Sequence, residues 1–171
     1  MSLNDIRLQD TGGLNVVPSR SYQVAASATT IKAGEPVTLE TGPGTATVVP
    51  MPDGAPTVST AVTSGLKVIG IAATTSTNTA AAAGTVQVYL PMPGIVTWKA
   101  KAKVASGADT QSEIDAKAND CIILDLTSSV YTVDFAAAHA DTNGIEVVGG
   151  DPRTSEIFFT FRPVVCEGDI S

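Results

Sequence analysis

The 171-residue chain contains one histidine, one tryptophan and two cysteines, and only 5% of it is aromatic. Each scarcity excludes something. A Ser-His-Asp or Cys-His relay would have to use His139, and no nucleophile-elbow pattern accompanies it. Two separated cysteines, Cys121 and Cys166, make neither a disulfide framework nor a zinc site. They read as two buried thiols, with a late disulfide as the alternative. Charged residues are 16% of the chain, against roughly 25% in an average soluble protein. The net charge of -7 is opposite in sign to the Lys/Arg excess with which nucleic-acid binders displace counterions. No run approaches the ~20 apolar residues of a membrane-spanning helix. The opening, Met1-Ser-Leu-Asn-Asp-Ile-Arg, has neither a basic n-region nor an apolar h-region, so synthesis in a cytoplasm is expected.

What is abundant is small or β-branched: 23 Ala, 22 Thr, 19 Val, 15 Gly and 13 Ser. Such a composition suits strands joined by turns and argues against a helical bundle. At this length folding buries about two-thirds of the unfolded chain's surface, enough for a core without metals or disulfides. Charge is uneven. Residues 1–103 hold 7 Lys/Arg and 5 Asp/Glu, whereas residues 104–171 hold 3 and 12. The second part should therefore be the acidic, solvated end.

Three segments follow along the chain. Residues 1–20 read as an amino-terminal arm, apolar at Leu3, Ile6, Leu8, Leu14, Val16 and Val17 but interrupted by Gly12-Gly13 and Pro18. Residues 21–104 read as one unit of short strands. Candidates start at Tyr22, run from Ile31 to Leu39 with a turn at Ala33-Gly34, and continue from Thr45 to Pro50. Lys67 to Ala73 reads as a buried strand whose Gly70 admits a neighbouring backbone. Thr85 to Pro91 alternates, with Val86, Val88 and Leu90 on one face and Gln87 and Tyr89 on the other. Residues 105–171 read as an acidic, mostly β extension packed on that unit. It begins with a short helix capped at Ser112, followed by strands from Cys121 and Tyr131 and a single helical turn at Ala136–Ala140. A hairpin pairs Ile145–Val148 with Glu156–Phe161 across Gly149 to Ser155.

Chemistry-bearing constellations are few. Asp109/Glu113 and Asp115/Asp120 are the nearest carboxylate pairs, and both fall on predicted loop and helix surface, where solvation is the simpler role. Eleven Asp and six Glu include no Asp-x-Asp-x-Asp-Gly calcium loop. Gly12-Gly13 and Gly149-Gly150 lack the Lys-Ser/Thr of a phosphate loop. Lys99, Lys101 and Lys103 alternate on one strand face. They serve either to block edge pairing or to meet an acidic surface, including the acidic end of a neighbouring copy. No catalytic, cofactor or metal residue is expected.

The segments Ile31-Lys-Ala-Gly-Glu-Pro-Val, Val68-Ile-Gly-Ile-Ala and Ala83-Gly-Thr-Val-Gln-Val-Tyr-Leu-Pro-Met-Pro-Gly94 carry a resemblance. Their order is similar to that in head-decoration, or cement, proteins of tailed bacteriophages, whose small barrel is a β-tulip. The resemblance covers about residues 22–104. It implies a mainly β fold with a β-tulip-like barrel. It also implies a homotrimer on the exterior of the virion, bound to the major capsid protein and clamping the shell against packaged DNA, with no nucleic-acid or membrane contact. Leu3, Ile6, Leu8, Leu14, Val16, Val17, Lys99, Lys101 and Lys103 are then the candidate partner-contact residues. The alternative is a β-sandwich binding module for carbohydrate or a fibre, with Trp98, Tyr89 and Tyr131 facing the sugar. A hydrolase using His139 or an acid pair ranks third.

Overall fold

The computed structural model describes residues 6–40 and 47–166. The fold is mainly β, with two short helices and antiparallel sheets. Strands run β1 (Arg7–Asp10), β2 (Ser19–Val24), β3 (Pro36–Leu39), β4 (Val48–Pro50), β5 (Val68–Ala72), β6 (Gly84–Tyr89) and β7 (Thr97–Lys101). They continue as β8 (Cys121–Ile122), β9 (Leu124–Thr127), β10 (Val130–Val133), β11 (Ile145–Asp151) and β12 (Glu156–Phe161). The helices are α1 (Val58–Thr63) and α2 (Gln111–Ala116).

One sheet has the order β2-β6-β5-β3-β4. Its two ends meet at a parallel bridge between Gln23 and Thr47, which closes the five strands into a small barrel. The interior holds Val24, Ile31, Val37, Val48, Ile69, Ala72, Val86 and Val88, with the half-buried Tyr22 packed against them. Short β-branched side chains fill so narrow a barrel without forcing strained rotamers. The second sheet, β1-β7-β12-β11-β8, is open. Its inner face carries Trp98, Ile157, Phe159, Phe161, Ile145 and Val147 into a larger core. There Phe159 and Phe161 meet edge to face, with centroids 5.7 Å apart. A hairpin, β9-β10, turns through Ser128-Ser129 and joins the open sheet by a bridge between Ala102 and Val133.

Strand β5 is the shared wall. Ile69 and Ala72 face the barrel interior, while Val68 and Ile71 face the large core. That explains its unbroken apolar run, because both faces are buried. Gly70 is required for closure. A Cβ there would lie 1.9 Å from the Tyr89 carbonyl oxygen. The alternation of β6 follows the same geometry: Val86 and Val88 point into the barrel, Thr85 and Gln87 are exposed, and Tyr89 leans on the large core.

Several expectations are corrected. Within the amino-terminal segment, Arg7 and Leu8 pair with Lys99 and Trp98, making β1 an edge strand of the chain's own sheet. The barrel strands lie within residues 19–89, and β7 belongs to the open sheet, between β1 and β12. A division near 104 would therefore cut that sheet. Its pairing joins residues some sixty positions apart, which local pattern does not reveal. Helix α2 is capped by Thr110, with Glu113 completing a capping box, not by Ser112. Residues 136–140 form no helical turn. Gly149-Gly150 lies inside β11, at a bulge, and the hairpin turns at Pro152–Ser155. Helix α1 escaped sequence reasoning. Its only local signal is the Thr57/Thr60 capping box.

Candidate functional site

The lysine stripe of β7 points to the outer face because Trp98, Ala100 and Ala102, which alternate with it, fill the core. The acids it meets belong to its own chain. Lys99 Nζ lies 3.5 Å from Glu156, which also pairs with Arg7 of β1. Lys101 donates to the Thr154 carbonyl. Lys103 lies 2.6 Å from Asp125 and 3.5 Å from Asp134, tying β7 to the β9-β10 hairpin. Burial pushes the Asp125 carboxyl up, but hydrogen bonds from Lys103 and Thr127 outweigh it and hold the group below the ordinary aspartate range. The hydrogen bond to Asp125 raises Lys103 above the ordinary lysine value, so it stays an ammonium. The uneven charge of the two parts is thus partly cancelled inside one molecule.

The apolar candidates divide. Ile6 and Val17 are 2% and 4% exposed and sit in the large core, so neither is available to a partner. Leu14 is half-buried against that core. Leu8 and Val16 face outward, at 38% and 77% exposure. Leu3 lies outside the described residues. Gly12, at φ +61°, lies against the turn that carries Ile95, itself exposed.

His139 is half-exposed and its surroundings are structural. Its Nδ1 accepts from the Cys121 backbone N–H at 3.0 Å, with Asp120 and Asp141 carboxylates at 3.6 and 3.4 Å. Desolvation raises both thiols: Cys121 lies above the ordinary cysteine value, and Cys166 is pushed up to about 12. Neither is a thiolate near neutral pH, so a Cys-His nucleophile has no reactive sulfur here. The carboxylate pairs are likewise engaged locally. Glu113 caps α2, Asp115 accepts from Gln111 at 2.7 Å, and Asp120 lies 3.5 Å from Lys117. Among the described residues no group of three or more His, Cys, Asp or Glu could hold a metal ion.

The aromatic candidates are interior. Trp98 and Tyr131 are each 1% exposed, and the Tyr131 hydroxyl donates to the Met51 carbonyl. Tyr89 packs 6.4 Å from Trp98. A cleft of about 200 Å³ lies where β1 meets the barrel, lined by Arg7, Leu8, Gly34, Ile71 and Tyr89 among others. It is smaller than the roughly 300–1,000 Å³ of small-molecule pockets. Sequence reasoning missed the acids Asp125, Asp134 and Glu156 as partners of the lysines. No local spacing marks them, because the pairing is made across strands.

No family model, curated protein or solved structure matches the chain.

Proposed function

We propose that this chain is a non-catalytic structural protein of a virion. It binds the outer surface of an assembled icosahedral capsid as a trimer, contacts the major capsid protein, and stabilises the shell against internal DNA pressure. The observation that carries the reading is the pinned segment between Ile6 and Val17. Both of those side chains are buried in the chain's own core, while Leu8 and Val16 between them are left outward. An apolar surface already held in place loses little conformational entropy when a partner covers it. The resemblance to phage head-decoration proteins supports the same role. So does the use of His139 and the lysines in internal contacts. A ligand that binds only the built shell stabilises it by RT ln(1 + [L]/Kd), about 2.7 kcal/mol per site at one hundred times Kd.

The carbohydrate-module alternative loses two of its three stacking residues, since Trp98 and Tyr131 are buried.

The test is co-sedimentation with undecorated tailed-phage shells, comparing the unaltered protein with Leu8→Asp and Val16→Asp. Fully burying one valine or leucine is worth about 1.5–3 kcal/mol, and Val16 is 77% and Leu8 38% exposed, so Val16→Asp should weaken binding roughly tenfold and Leu8→Asp roughly threefold. Thermal unfolding of Val16→Asp should be unchanged, and the mass in solution or on the shell should be that of a trimer. Failure of the unaltered protein to sediment with shells, or equal binding by both variants, would overturn the proposal.

A further inference from the structure

The open sheet ends at β8, a two-residue strand whose inner neighbour is β11. Cys121 stands opposite Glu146, and the ladder bond beside this pair runs from the Val147 N–H to the Asp120 carbonyl at 3.0 Å. The Cys121 N–H and C=O therefore point away from β11, at the sheet edge. An uncovered edge is a template for another strand, and here residues 139–143 cover it. The Cys121 carbonyl accepts from the Ala140 N–H at 3.2 Å and from Asn143 Nδ2 at 3.0 Å. The Cys121 N–H is satisfied by a side chain, His139 Nδ1, at 3.0 Å.

Only a neutral imidazole protonated at Nε2 can accept at Nδ1. The Asp141 carboxylate, 3.4 Å from Nε2, favours that tautomer. Once the ring is protonated, both nitrogens are donors and the Cys121 N–H loses its partner. A replacement acceptor for Nδ1–H is already close, because Asp120 Oδ1 lies 3.6 Å away. The charged surroundings favour that exchange. Asp120, Asp141 and Glu146 face the site. Lys117 pairs with the other Asp120 oxygen at 3.5 Å, and the Arg162 guanidinium is held by the Asp141 and Asn143 carbonyls at 2.6 and 2.8 Å.

We infer that His139 is a pH-sensitive clamp on the edge of the open sheet. Its neutral ring seals the Cys121 N–H, and protonation turns Nδ1 from an acceptor for Cys121 into a donor to Asp120, leaving an uncovered donor at the edge. The inference is independent of what the protein binds. Acidification across the range in which the His139 ring takes up its second proton should loosen the 139–143 cover first and leave the barrel untouched.

The experiment follows backbone amide exchange and the ring protons of His139 together in the isotopically labelled protein across that range. The Cys121 protection factor, corrected for the intrinsic pH dependence of exchange, should fall by about three- to tenfold. Its midpoint should coincide with that of the His139 ring, while amides of β5 and β6 stay constant. His139→Asn keeps an acceptor near the Nδ1 position but cannot titrate, and should abolish the step. A protection factor unchanged through the ring titration, or a step that survives in His139→Asn, would overturn the inference. Should His139→Asn fail to fold, the coincidence of midpoints in the unaltered protein decides the matter.

Discussion

The barrel and the open sheet solve the same problem in different ways. The barrel joins its own ends at the bridge between Gln23 and Thr47, and its buried interior is built from aliphatic side chains, with Tyr22 packed against them. The open sheet has two edges and a broad inner face. It fills that face with Trp98, Phe159 and Phe161 and manages each edge separately. At one edge β1 is four residues long, charged at Arg7 and Asp10, and irregular in register between Leu8 and Asp10. At the other, His139, Ala140 and Asn143 cover Cys121. Ion pairs follow this division. Lys99 of β7 reaches Glu156 and Lys103, just beyond it, reaches Asp125 and Asp134, whereas the buried barrel interior relies on aliphatic packing. Closure removes the need for side-chain devices, and an open sheet has to supply them.

The sharpest way to break this contrast is to empty each core in turn. Phe159→Ala should cost about 3–5 kcal/mol, because a buried ring leaves a cavity that its neighbours only partly fill. Ile69→Val in the barrel should cost only about 0.5–1.5 kcal/mol. Urea denaturation of both variants measures the difference, and equal losses would mean that the aromatic core is not the heavier one. Next in size is the shared wall. Gly70→Ala places a methyl group 1.9 Å from the Tyr89 carbonyl oxygen and should cost about 1–3 kcal/mol or more. Because β5 serves both cores, amides of the barrel and of the open sheet should lose exchange protection together. Loss confined to the barrel would show that the two units open independently.

The smallest effect belongs to the charges. Asp125 is held below its ordinary value in the folded protein, so its contribution is present above the unfolded value of 3.8 and is lost as pH falls through the lower folded one. Lys103 is raised, so its share is present below 10.5 and disappears only as pH rises through the folded value. The pair therefore stabilises across neutral pH. Asp125→Asn should lower the urea midpoint at neutral pH, and the two midpoints should converge in acid. A constant gap down to the acid limit would assign the effect to packing and not to charge.

Much of the barrel was legible in the residues. The alternation of Val86 and Val88, the unbroken run from Val68 to Ala72 and the need for glycine at 70 all reflect local geometry, where side-chain period reports burial. The open sheet was far less legible. Joining β1, β7 and β12 brings together residues from opposite ends of the chain, and no period within a strand names its partner. The candidate surface was mixed for the same reason. Leu8 and Val16 are outward, but Ile6 and Val17, equally apolar, lie in the large core.

By itself, the order of residues determined a mainly β chain, the alternating and unbroken apolar runs of β6 and β5, and the position where only glycine admits a neighbouring backbone. Those features follow from backbone sterics and the two-residue period of a strand. Tertiary structure alone decided which lysine meets which acid, which half of the apolar segment is buried, and that the single histidine caps a sheet edge. Each of these depends on groups distant in sequence being carried to within hydrogen-bonding or van der Waals range, and only the assembled sheets supply that proximity.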